Sequence, residues 1–344
     1  MNINIDMMQL YWFPGNANQR SIFDFNSGVL QIESPGFPLV PVDSNNFGNV
    51  ITLADGTGYS LLGKYLMDSN FSTVNNTESL FSNLSPTVAN CSFSPDFNNK
   101  NYANLYFIDS GGLNYVHISR NLLKESTADV IAIMPLTLPP MLNSPLCILG
   151  DSINGGNWLF YITEYNKVHK LVSLYCKDGQ STSYSSVFLP CGGAPICIDV
   201  KSNRIAIIRD DASLVYGEIV VQTESIDVQF TEIISGLSST LIQSAFSADG
   251  NSLFYMTDIG GAHYVNYRNL TTGSITQEPT TGKYIALKCG PDDVIYGLSI
   301  KTIGTATLLT VTPTTPVDGF SVSEILVPTN GGYFPATEWR DNIS

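Results

Sequence analysis

Apolar and β-branched residues fall in short runs punctuated by Gly, Asn, Asp, Ser and Pro. Ala103–Ile108, Trp158–Ile162, Arg204–Ile208 and Ser252–Met256 are such runs. Each has the length and residue types of a strand, and no segment carries a sustained helical period. The breaks between runs have hairpin chemistry, as at Asp55–Gly56, Gly111–Gly112, Gly155–Gly156, Asp249–Gly250 and Gly260–Gly261. The pattern predicts an all-β protein, with one helical turn near 121–124 as the exception.

The runs repeat. Residues 245–277 read as strand, Asp-Gly turn, strand, Gly-Gly turn, strand, then a Thr-Gly turn into a fourth strand. The same order recurs from Ser92, Cys197 and Leu287. First-turn markers fall at Asp55, Asp96, Asp151, Lys201, Asp249 and Asp292, roughly 41 to 55 residues apart. That spacing suits a four-stranded propeller blade. The Phe-Ser-x-Asp-Gly motif at 246–250, the apolar strand after it and the Asp-x-Gly-Gly motif at 258–261 carry a resemblance over 245–267, which returns at 92–118. These stretches resemble the repeats of TolB-like β-propellers, relatives of the tryptophan–aspartate-repeat propellers. The resemblance implies a propeller fold and a binding role, and assigns no catalytic residue.

The two ends add a blade. Gln9–Phe13, Ser21–Phe25 and Val29–Ile32 parallel the last three strands of the 245–277 unit, and Tyr333–Trp339 is a single strand left over. Joining 333–339 to 9–32 closes a ring and pairs both open edges. The expected fold is a seven-bladed propeller forming one domain over 1–344.

Composition narrows the partners. Sixteen Lys+Arg against thirty Asp+Glu give a net charge of −14, so the chain lacks the basic footprint that nucleic acid or anionic lipid needs. No apolar run reaches the ~18 residues of a membrane span. Residues 1–6 have neither a basic nor an apolar segment of a signal peptide, which points to a cytoplasmic or particle-associated location. Cys91, Cys147, Cys176, Cys191, Cys197 and Cys289 show no CxxC spacing and are expected to be free thiols.

No catalytic residue is expected. The inner strands begin near Asn49, Asn90, Leu146, Ile196, Gln243, Tyr284 and Phe334, without the carboxylates and histidines of a metal-dependent propeller site. His117, His169 and His263 fall on or beside third strands. No Gly-x-Ser-x-Gly elbow occurs, and the Gly-rich 56–63 segment lacks the Lys-Ser/Thr of a phosphate loop. Second strands end in acidic residues: Asp109, Glu164, Asp210 with Asp211, and Asp258. A rim of such carboxylates suits Ca²⁺ or a basic partner. The alternative is that each Asp caps its own hairpin. On the Pro-stiffened connections, Phe37, Leu136, Leu138 and Met141 are expected either to be exposed for protein recognition or to plug the channel mouth. Trp12, Tyr165 and Tyr333 are the candidates for stacking on a glycan.

The favoured function is a non-enzymatic protein-interaction or structural propeller. The acidic, Lys-poor, Asn/Ser/Thr-rich composition associates it with viral, phage or injection-type particles or with surface recognition. The alternatives are a propeller-type hydrolase or lyase with a channel metal, and a lectin-like propeller. No cofactor is expected beyond Ca²⁺ on the acidic loops.

Overall fold

The computed structural model describes residues 136–299 apart from Ser152, Asp178, Thr223, Glu224 and Pro291, together with 306–314 and 319–327. Before residue 136 it describes 11–12, 15–16, 19–20, 22–24, 27, 30–33, 50–52, 58–62, 65–68, 74, 91–97, 102–109, 112–120 and 126–134. The 121–124 segment, Phe37 and the 333–339 strand lie outside these residues.

The described residues are all-β. Sheet 1 (Tyr11–Trp12, Ile22–Asp24, Gln31–Glu33) and sheet 2 (Val50–Thr52, Gly58–Leu62, Tyr65–Asp68) have three strands. Five sheets have four. They are sheet 3 (Cys91–Pro95, Ala103–Asp109, Gly112–Arg120, Ser126–Ile133) and sheet 4 (Leu146–Asp151, Gly156–Tyr165, Val168–Lys177, Gln180–Phe188). Then come sheet 5 (Pro195–Lys201, Arg204–Arg209, Ser213–Val221, Ile226–Ser235) and sheet 6 (Ala245–Phe246, Ser252–Ile259, Ala262–Asn269, Ile275–Thr280). Sheet 7 is Tyr284–Cys289, Ile295–Ser299, Ala306–Thr314 and Gly319–Val327. A separate two-stranded ladder pairs Gly15–Asn16 with Gln19–Arg20. In all seven larger sheets the strands lie in chain order and pair antiparallel, so each is a meander.

The first strand of each sheet touches the first strand of the next, from sheet 1 through to sheet 7. Sheets 6 and 7 meet in a parallel bridge between Gln243 and Ala286. Successive sheets therefore share an inner edge and stack face to face, which is the architecture of a β-propeller.

The strand alternation explains why the second strands read as unbroken apolar runs. On Gly156–Tyr165, Leu159 and Tyr161 pack toward sheet 3, while Trp158, Phe160 and Ile162 pack toward sheet 5. On Arg204–Arg209, Ile205 and Ile207 face sheet 4, and Ala206 and Ile208 face sheet 6. Successive side chains leave a strand on opposite faces, so a strand sandwiched between two neighbours must be apolar at every position. At ~1.5–3 kcal/mol per fully buried large apolar side chain, these inter-sheet cores dominate the favourable side of folding. The fourth strands lie outermost and alternate instead, as along Gln180–Phe188, where exposed and half-buried positions take turns.

Candidate functional site

Each sheet has two ends. One, the connection face, carries the turns between second and third strands and the segments joining one sheet to the next. The acidic residues sit where expected. Asp109 ends its second strand, Glu164 and Asp258 are next to last in theirs, and Asp210 and Asp211 follow Arg209 directly.

Most of these carboxylates are committed to local partners. Asp258 Oδ1 lies 2.7 Å from His263 Nδ1, its Oδ2 accepts from Ser238 Oγ at 3.1 Å, and Lys283 Nζ is 3.5 Å away. Burial opposes ionisation of Asp258, but the bonds from His263 and Ser238 and the charge of Lys283 hold it below the usual carboxylate range. Asp210 Oδ1 accepts from Ala194 N at 2.8 Å, and Asp211 Oδ2 accepts from Gly193 N at 2.6 Å. The Ser213 hydroxyl lowers the Asp211 pKa most; burial opposes it, and the Gly193 amide and the Arg209 charge add to the lowering. Glu164 is exposed and pairs in register with His169. Among the described residues no group of three or more His, Cys, Asp or Glu side chains is placed to hold a metal ion. At the opposite end, Asp249 in the first turn of sheet 6 makes Asx-type bonds, accepting from Ser247 Oγ and the Asn251 amide.

The Pro190–Ala194 connection is clamped. Buried Arg209 donates to Pro190 O at 2.8 Å and Cys191 O at 3.1 Å. A Cβ at Gly192 would overlap the Arg209 guanidinium, and one at Gly193 would lie 2.8 Å from Asp211 N. The paired glycines are what let the loop lie against these side chains.

The 136–145 connection lies against the sheets. Leu136 and Leu138 are half-buried against the core between sheets 3 and 4, and Met141 against the core between sheets 4 and 5. Tyr161 Oη donates to Leu138 O at 2.8 Å, Thr163 Oγ1 to Pro139 O at 2.7 Å, and Met141 N to Ile162 O at 2.8 Å. The Pro-rich segment is tied to the second strand of sheet 4, so its apolar side chains turn inward. The exposed one is Leu142, which the sequence reading passed over.

Tyr165 is exposed as a binding residue needs to be, at 60%. It opens a two-residue turn in which Asn166 and Lys167 both have positive φ, 51° and 62°, the geometry of the commonest tight hairpin. Val168 and Phe188 are exposed beside it, and Lys170 Nζ sits 5.4 Å from the Tyr165 ring centroid and 4.3 Å from that of Phe188. The lysine bridges two rings by cation–π attraction. Of the twelve exposed large apolar side chains among the described residues, eight stand at or near this end of their sheets: Leu142, Tyr165, Val168, Phe188, Ile233, Ile259, Ile325 and Leu326. Trp12 belongs to the first strand of sheet 1. Phe37 and Tyr333 lie outside the described residues.

Two charged residues escaped the reading of the inner strands. Asp199 and Lys288 are buried on the first strands of sheets 5 and 7, and both act electrostatically on the Cys197 thiol. Burial first, and then the Asp199 carboxylate, push that thiol up to about 12 against the opposing charge of Lys288. A lone charge inside an apolar first strand was the available signal. Gln243 is buried at the bridge to sheet 7, and Asn49 and Asn90 lie outside the described residues.

No protein-family model matches the sequence, and no match was found among curated proteins. Solved structures do match. A protein from Lactobacillus plantarum superposes with a TM-score of 0.60 at 10% identity over 96% of this chain and 99% of its own. The Cps50 (Swd1) β-propeller domain of Myceliophteria thermophila gives 0.52 at 10% identity over 86% and 94%. Saccharomyces cerevisiae Sqt1 gives 0.50 at 8% identity over 93% and 82%. At these identities the likeness is one of fold. The chain has a β-propeller fold. No helix among the described residues is long and apolar enough to cross a membrane.

Proposed function

We propose that this propeller is a non-enzymatic scaffold that binds a protein partner through its connection face. The concentration of exposed apolar side chains at that end carries the reading, because contiguous apolar surface rimmed by polar groups marks interaction sites. Tyr165, Val168, Phe188 and Leu142 form the anchor, with Tyr165 held on a rigid turn that loses little entropy on binding. The net charge of −14 selects a partner whose own apolar patch is ringed by Lys and Arg. The composition supports a narrower role as a component of a viral, phage or injection-type particle.

A photo-crosslinking amino acid at position 165 or 188, in the native source or reconstituted assembly, tests the reading. It should trap one discrete partner, while the same probe at Ile275 or Val221 on the other end of the sheets should not. Phe188→Ser should abolish the product. Equal trapping from both ends, or none from 165 and 188, overturns it.

A further inference from the structure

The opposite end of sheets 4 and 5, where first strands turn into second strands, holds a cleft of about 600 Å³. It is independent of the connection face, and its chemistry is different. Its lining includes the half-buried Tyr175 ring, with the largely buried Trp158 ring 4.9 Å from it between centroids and inclined at 49°, and the exposed side chains of Ile153 and Val221. Gly156 lies beneath Tyr175, where a Cβ would overlap the phenol and come 2.9 Å from the Cys176 carbonyl, so the ring is seated by the missing side chain.

Sheet 4 also supplies the polar lining, and it is already organised. Asp151 accepts from the Asn154 backbone N–H at 3.0 Å and from its side-chain amide at 2.8 Å. Lys177 Nζ donates to the Asn154 carbonyl at 2.8 Å. Gln222 closes the rim from the end of the third strand of sheet 5. Asp151 and Lys177 are the cleft's two charged lining groups, one of each sign, and each retains hydrogen-bonding capacity after its bond to Asn154.

A cleft of this size lies in the range of small-molecule sites. Its balanced charge disfavours phosphorylated ligands, which need clustered cations. Its density of donors and acceptors disfavours lipids, whose chains satisfy none of them. What fits an aromatic and aliphatic lining flanked by a carboxylate, an ammonium and amides is a neutral polyhydroxylated ring. Such a ring presents an apolar C–H face to the aromatics and paired hydroxyls to the polar side. We infer that this cleft binds a neutral carbohydrate of one or two pyranose units. The aromatics involved are neither Tyr165 nor those of the chain ends.

The test is saturation-transfer NMR on the full chain with a panel of methyl glycosides: glucose, galactose, mannose, fucose, N-acetylglucosamine and N-acetylgalactosamine, with cellobiose and lactose as disaccharides. At least one neutral sugar should receive saturation. Lys177→Ala and Gln222→Ala change exposed side chains and should leave the melting temperature unchanged while weakening that sugar at least tenfold. Thr182→Trp, which fills the mouth of the cleft, should abolish it. Phe188→Ser, on the other face, should leave it intact, so failure here and failure of the protein-binding reading are told apart. A panel with no bound sugar overturns the inference, as does binding that survives Thr182→Trp or is unmoved by both alanine variants.

Discussion

Asp258 and His263 face each other across the Gly260–Gly261 turn, Oδ1 and Nδ1 2.7 Å apart, and the carboxylate also receives Ser238 from the preceding connection. One side chain thus ties the second-to-third turn of sheet 6 to the segment arriving from sheet 5. Its folded pKa is lowered, so the stabilisation is present above the unfolded carboxylate value of about 3.9 and is lost as pH falls through the lower folded value. Asp258→Asn should melt at a lower temperature than the wild type at pH 7. The gap should close below about pH 4. Melting curves from pH 7 to 2.5 check this, and a gap that widens on acidification contradicts it.

Arg209 should be the costliest single truncation on the connection face. Arg209→Ala strips two bonds from the carbonyls of Pro190 and Cys191 and leaves them in a site built around the guanidinium. The expected loss is about 1–3 kcal/mol, read from urea unfolding at neutral pH. Gly193→Ala should lower stability by a similar route, because its Cβ meets the Asp210 carboxylate and the Asp211 backbone. Wild-type stability in both would show that the 190–194 loop is not clamped.

The thiols should divide five to one. Cys91, Cys147, Cys176, Cys197 and Cys289 are buried and Cys191 is exposed. Burial raises the pKa of Cys176 and Cys197, which suppresses their thiolates further. Iodoacetamide on the native protein should modify Cys191 alone. After denaturation without reductant it should modify all six. Peptide mass spectrometry reads both outcomes.

The sequence expectation made Tyr333–Trp339 the inner strand of sheet 1, but Tyr11–Trp12 already stands at that inner edge, against the first strand of sheet 2. We propose that Tyr333–Trp339 joins sheet 1 as its fourth strand, since that sheet shows three strands among the described residues where sheets 3 to 7 show four. Deleting 331–344 should then expose the edge of that sheet and broaden or abolish cooperative melting. A truncated chain that melts like the full one refutes the closure.

What the local pattern carried was the repeat. Strand runs such as Trp158–Ile162, the Gly-Gly and Asp-Gly turns and the roughly constant marker spacing each rest on neighbours in sequence, so fold class, strand order and the acidic ends of the second strands were legible without coordinates. The propeller followed from repetition, because an apolar run with no polar alternation needs a sheet on both sides. The direction in which connection side chains point was not legible. The sequence left Leu136, Leu138 and Met141 open between exposure and plugging the channel mouth; they turn inward because Tyr161 and Thr163 capture that loop's carbonyls across 23 and 24 residues of sequence. The same holds for the buried Asp199 and Lys288, and for the cleft between Trp158, Tyr175, Asn154 and Gln222. Residues on two different sheets meet there only after the stack has formed. The sequence by itself determined which segments are strands and how they succeed one another, since those preferences are settled within a few residues. Which faces are covered, which are bare and which polar groups converge was decided by the packing of one sheet on the next.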